Sequence, residues 1–214
     1  MSLFSNKEVS EEIDSEHPSV EEKAEHPLAE IVRFSIIAIL LVIPIRMFIA
    51  QPFIVSGSSM DDTFHSGEYL IVDQVTYHFE KPSRGDVVIF RYPRDPSKFF
   101  IKRVIGLPGD TVTIENARVT ISNESNLDGF ILNESYVKSM QPAAPFKEKL
   151  SDREYFVMGD NRDKSSDSRA WGVLQEERII GRAYIRLFPP NELSLFPGAV
   201  AIQENTLPAT PDSN

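Results

Sequence analysis

Thr111-Val-Thr-Ile-Glu-Asn-Ala-Arg-Val-Thr-Ile-Ser122 is the stretch on which the fold class turns. Val112 and Ile114 alternate with polar residues, and Val119 and Ile121 repeat the pattern after Asn116-Ala117. Period-two alternation puts the apolar set on one face of a strand, so matched runs around a two-residue break predict a hairpin, although Ala is a poor second residue for a type I′ turn. Working outward, residues 68–73, 86–91, 99–105, 155–158 and 182–188 are further short runs rich in aromatic and β-branched residues. Arg84-Gly85-Asp86 and Leu107-Pro108-Gly109-Asp110 read as turns, and 175–180 as a short helical turn. Many short strands separated by turns predict a mainly β domain over 51–202, an irregular antiparallel β-barrel or sandwich. Within it, 123–149 is polar, contains Pro142 and Pro145, and reads as a loop-rich insertion; 203–214 reads as a disordered tail.

Upstream, residues 1–29 read as a disordered acidic leader. Residues 1–30 hold nine acidic side chains against Lys7 and Lys23, which places −7 of the chain's formal charge of −10 there. An acidic chain without a basic stripe argues against nucleic-acid binding. There is no cysteine, so no disulfide or thiolate metal site. Residues 30–50 are predominantly apolar, with Arg33 and Arg46 near the ends. About 20 such residues can span a bilayer as a helix with the arginines snorkelling, so a single transmembrane helix is expected. The acidic leader is wrong for a cleaved signal peptide. Lys23 and Arg33 precede the apolar core, and after Arg46 there is no base until Lys81. That bias places the N-terminus in the cytoplasm and 51–202 outside the cell membrane.

Val55-Ser56-Gly57-Ser58-Ser59-Met60 follows shortly after that segment. Taken alone, it reads as a turn. Serine chemistry needs a base, and none of His17, His26, His65 and His78 sits in a recognisable triad context. A lysine can serve if burial makes it neutral. Lys102 lies inside the apolar run Phe99-Phe100-Ile101-Lys102-Arg103-Val104-Ile105, on the face of Phe100 and Val104; an edge or snorkelling lysine would read the same way. Arg103, on the other face, can pair with an Asp. Gly159-Asp160-Asn161-Arg162-Asp163-Lys164-Ser165-Ser166-Asp167-Ser168-Arg169-Ala170-Trp171-Gly172 is too polar for a core strand and reads as a loop folded on itself by ion pairs and side-chain-to-backbone bonds.

The order of these blocks carries a resemblance. Ser59-Met60-x-x-Thr63 follows the apolar segment, then Arg84-Gly85-Asp86, then Phe100-Ile101-Lys102-Arg103-Val104-Ile105-Gly106, then the loop from Gly159. This resembles the bacterial type I signal peptidases (leader peptidases), membrane-anchored Ser/Lys-dyad proteases, over about residues 31–188. The resemblance implies Ser59 as nucleophile, Lys102 as general base and Ser165 as the hydroxyl that orients the lysine amine. It implies an oxyanion site at the Ser59 N–H with a second donor near Gly57, where some members carry a serine. Arg103, Asp160, Asp167 and Arg169 become ion pairs holding the loop. Phe53, Val55, Met60, Phe64, Ile89 and Ile101 become the lining of shallow pockets for alanine-sized side chains, with the substrate added as a strand. Substrates would be exported preproteins cut after an Ala-x-Ala-like site, with membrane lipid around the anchor and an export translocon nearby. No cofactor is required. A metal site is not expected either, since Asp163-x-Ser165-x-Asp167 lacks the Gly and Glu of a calcium loop.

The chain departs from the family pattern at Asp62, usually Pro, at Phe64, usually Leu, and at Lys164, usually Asn. Asp61-Asp62 would raise the lysine pKa if close to it. A membrane-tethered, non-catalytic peptide-binding β domain and a Ser/Lys autoprotease are the alternative readings.

Overall fold

The 111–122 hairpin forms as its alternation requires. In the computed structural model, which describes residues 27–44, 50–200, 202 and 204–206, β5 (Thr111–Glu115) and β6 (Arg118–Asn123) pair antiparallel. Val112 lies opposite Ile121 and Ile114 opposite Val119, and all four are buried. Asn116 and Ala117 both take positive φ, 49° and 58°, so the turn has the type I′ signature even with alanine in the left-handed region.

Three more strands extend this sheet: β7 (Asn126–Leu132), β8 (Phe146–Lys149) and β13 (Glu204–Thr206), in the order β13-β7-β6-β5-β8. The stretch 123–149 is therefore not simply loop. Phe130 and Leu132 supply a short buried run, and pairing with β6 satisfies the backbone that the surrounding polar residues cannot. The expected disordered tail likewise holds a strand at Glu204–Thr206; its residues 203 and 207–214 lie outside the described residues, as does 1–26 of the leader.

The larger sheet contains β1 (Ala50–Ile54), β2 (Tyr69–Asp73), β3 (Val87–Arg91), β4 (Phe99–Gly106), β9 (Glu154–Met158), β10 (Leu174–Gln175), β11 (Ile179–Phe188) and β12 (Ser194–Leu195). Its order is β1-β2-β11-β3-β4-β9-β10, with β12 on β11. The expected barrel is thus replaced by two open antiparallel sheets. β3 lies between two cores of the larger sheet. Val87-Val88-Ile89-Phe90 does not alternate because both its faces are covered: Val87 and Ile89 join Val55, Met60, Phe64 and Leu70, whereas Val88 and Phe90 join Val104, Tyr155 and Trp171. A third core joins Ile105, Phe156 and Met158 to the hairpin's Val112 and Ile121. Gly106 sits at that junction, where a Cβ would run into Val112 and Leu150.

The chain forms two units, residues 1–40 and 41–214, and every strand lies in the second. The N-terminal helix α1 (Pro27–Pro44) starts earlier than the expected span, and residues 45–49 of that span lie outside the described residues. Ala50, expected to end the span, begins β1 instead. The 18 residues of α1 reach ~27 Å. Among the described residues no helix is long and apolar enough to cross a membrane.

Candidate active site

Ser59 lies in the turn that follows β1. The turn closes with Thr63 N donating to Met60 O at 2.9 Å and Phe64 N to the same oxygen at 2.8 Å. Met60 and Phe64 are buried in the core beneath it and anchor the turn. Neither is among the residues that line the cavity around Ser59.

Lys102 reaches Ser59 from β4. Its Nζ donates to Ser59 Oγ at 2.7 Å and to Ile101 O at 2.8 Å. The amine also lies 5.3 Å from the centre of the Phe100 ring. Burial pushes its pKa down from 10.5 to about 8, against the upward pull of Asp167 and then Asp160. These two carboxylates, not Asp61-Asp62, are the acids the amine feels. Asp62 instead pairs with Lys138 at 2.6 Å, which holds its carboxyl below the usual range.

The loop after β9 binds backbone carbonyls of the Ser59 turn. Asn161 N donates to Ser59 O at 3.1 Å, and Asn161 Nδ2 to Ser58 O at 3.0 Å. Gly159 permits the close approach, because a Cβ there would overlap the Ser59 carbonyl and the Ser165 side chain. Asp160 takes Arg103 in a two-pronged pair, Oδ1 from Nε at 2.9 Å and Oδ2 from Nη2 at 2.6 Å. It also accepts from Thr63 Oγ1 at 2.6 Å, which ties the Ser59 turn to the same ion pair. Asp167 is fully buried. It pairs with Arg169, accepts from Gly159 N at 3.1 Å, and caps the four-residue helix α2 (Ser168–Trp171). The four expected scaffold residues are thus brought together as two ion pairs.

Ser165 packs beside Gly159. Its hydroxyl is buried with no hydrogen-bond partner, and the lysine amine is held by Ser59 and Ile101 instead. Gly57 has φ of 94°, which suits glycine, and nothing stands where its side chain would be.

A cavity of ≈ 470 Å³ includes Ser59 and Lys102 in its wall. Phe53, Val55, Ile89 and Ile101 line it, together with Ile54 and Leu70. Two strand edges border it. Among the described residues β1 pairs only with β2, and residues 99–102 of β4 pair with β3, while pairing with β9 begins at Arg103.

Several site residues carry no mark in the sequence. Thr63 and Asn161 belong to the quoted blocks, but their partners were not legible. Glu134, which holds the buried Arg162, comes from the stretch read as insertion. Elsewhere, His65, Glu68 and Glu192 gather closely enough for a metal, but Arg186 already supplies the cation, at 3.0 Å from Glu68 and 2.8 Å from Glu192.

Comparison with known proteins follows the same residues. The profile of the family described as signal peptidase, peptidase S26, matches residues 28–188. A signal peptidase I of Leptolyngbya laminosa is 37% identical over 178 residues, covering 80% of this chain and 85% of its own length. A probable signal peptidase I-1 of Synechocystis sp. is 37% identical, covering 76% and 83%. A signal peptidase I of Bacillus licheniformis is 35% identical, covering 78% and 91%. Among solved structures, a signal peptidase I from Enterococcus faecalis V583 aligns at 30% identity over 48% of this chain and 97% of that one, with a TM-score of 0.41.

Proposed function

Because the chain belongs to the signal peptidase family, peptidase S26, we propose that Ser59 and Lys102 are the nucleophile and general base with which it works. Its activity is that of a serine endopeptidase, and its substrates are preproteins bearing signal peptides. The observation that carries the residue assignment is the 2.7 Å contact between Lys102 Nζ and Ser59 Oγ, made by a buried amine.

With its pKa at about 8, the amine is neutral in about a tenth of molecules at pH 7, some 300-fold more than an unperturbed lysine. A neutral amine takes the Ser59 hydroxyl proton as Oγ attacks the carbonyl after the last Ala of an Ala-x-Ala-like site. The Ser59 N–H receives the oxyanion, with a second donor beside Gly57, for which the Ser56 or Ser58 hydroxyl is available. Protonated Lys102 then gives its proton to the leaving amine, and water releases the acyl group from Ser59. The free edges at 53–57 and 99–101 suit an extended peptide added as a strand, its small side chains directed at Phe53, Val55, Ile89 and Ile101. Ser165 orients the amine once the substrate displaces the present hydrogen bonds.

The domain works outside the cytoplasm, anchored by an N-terminal span that includes α1, with lipid around it and the export translocon nearby. The apolar side chains exposed on α1, among them Ile36, Ile39 and Leu40, support this.

The test is a preprotein with an Ala-x-Ala site, offered in detergent or lipid. Wild type should cut after the final Ala. Because the base must be neutral, kcat/KM should rise about tenfold per pH unit below ~7 and level off above ~9. A flat profile from pH 6 to 9 would remove Lys102 as the base. Ser165→Ala should unfold no earlier than wild type, since it removes an unsatisfied buried hydroxyl, yet lose between about 10- and 100-fold in kcat. Wild-type turnover in that variant removes Ser165 from the mechanism.

A further inference from the structure

Residues 134–141, which follow β7, reach three separate parts of the site. Glu134 grips the guanidinium of Arg162 with both carboxylate oxygens, and the Arg162 side chain is wholly buried. Arg162 Nε in turn donates to Gly159 O at 3.0 Å. The Tyr136 ring lies 4.1 Å from the Arg103 guanidinium, and its hydroxyl donates to Glu134 at 3.1 Å. Lys138 pairs with Asp62 in the nucleophile turn, and Asp163 accepts from Ser139 Oγ at 2.8 Å and Gln141 N at 2.9 Å.

We infer that residues 134–141 act as a clamp on the catalytic pair, with Glu134 as the positioning residue on which it depends. The inference rests on the reading of Ser59 and Lys102 given above. The links are not equal. Lys138–Asp62 and the bonds to Asp163 are exposed, where such contacts contribute little. Arg162 is a buried cation, and Glu134 is the carboxylate that pairs with it. Without Glu134, Arg162 must turn to water or to another acid, and it releases Gly159. Gly159 is two residues from Asn161, which holds the carbonyls of Ser58 and Ser59. A shift there is passed directly to the nucleophile, where displacements of about 1 Å cost on the order of 100-fold in rate.

The experiment compares wild type, Glu134→Gln, and the double variant Glu134→Leu/Arg162→Met on one preprotein, reading kcat, KM and unfolding temperature. The double variant replaces both charges by apolar groups, so no buried charge is left unpaired and stability is largely kept. A clamp predicts kcat lower by about 10- to 100-fold in the double variant, less in Glu134→Gln, with KM within about twofold of wild type in both. Wild-type kcat in either variant, whatever its unfolding temperature, overturns the clamp and leaves Glu134 a stabilising residue only. If wild type itself leaves the preprotein uncut, the catalytic reading falls and takes the clamp with it; cutting by wild type isolates the result to Glu134.

Discussion

Lys102→Met should abolish cleavage and yet make the protein harder to unfold. The loss should be on the order of 10⁴-fold or more, because Met cannot take the Ser59 proton, and Ser59→Ala should match it. Lys102→Arg should fail as well, since Arg keeps its proton. The gain in stability follows from the same burial that prepares the base. An amine with a pKa of about 8 in the folded chain and 10.5 as the unperturbed value is disfavoured by folding in its charged form. That difference withholds about 3 kcal/mol below pH 8. Met fills similar space without the charge, and should recover on the order of 1–3 kcal/mol at pH 7. The sign fixes the pH window. The folded pKa is depressed, so between about 8 and 10.5 the unfolded state binds more protons, and wild-type stability rises with pH across that interval. The advantage of Met should therefore be full at pH 7 and shrink towards pH 10.5. Denaturant unfolding of both proteins at the two pH values reads this directly. Equal stability at pH 7 would mean that the amine is not desolvated, and the neutral-base mechanism would lose its footing.

Asp160→Ala should be among the most damaging substitutions for stability. Arg103 and Asp160 are both 0% exposed, and removing the carboxylate leaves the guanidinium buried without its counter-charge and Thr63 without its acceptor. Breaking a buried pair from one side costs about 3–5 kcal/mol, a drop of roughly 6–20 °C in Tm for a domain of this size. Arg169→Ala should cost less, because Arg169 is partly exposed. Thermal unfolding of the two variants side by side checks the order, and an Asp160→Ala protein that melts with wild type would show that the pair does not hold the loop. Asp160→Asn carries a second readout. Asp160 pulls the Lys102 pKa upward, so removing its charge should move the rising limb of the pH–rate profile to lower pH.

The parts of the fold that were legible are those with local causes. The 111–122 hairpin is written in four alternating apolar residues, and the strands at 69–73, 87–91 and 99–106 in short β-branched and aromatic runs. β7 was missed because its apolar portion is short and its stability comes from β6, a partner rather than a pattern. The barrel was wrong because strand count does not say whether the last strand meets the first. Of the proposed site, Ser59, Lys102 and the four ion-pairing residues were picked out by the order of the blocks and the resemblance that it carries. Met60 and Phe64 could not be told from pocket residues, since an apolar side chain near a nucleophile looks the same whether it faces a core or a cleft.

The sequence by itself determined the local elements and the residue types on which the proposed chemistry rests: a serine soon after an apolar segment, a lysine inside an apolar strand, and a loop able to fold on its own charges. Periodicity and composition act over a few residues, and these features need no more. Only the tertiary structure decided how those residues are used. It set Lys102 Nζ at 2.7 Å from an oxygen 43 residues away, joined Arg103 to Asp160 across 57, and gave Arg162 its partner Glu134 across 28. Such pairings depend on which sheet edges and loops meet after the chain has folded. A charged side chain carries no local mark of the counter-charge it will find, and burial, which lowers the lysine pKa, exists only once the cores have closed around it.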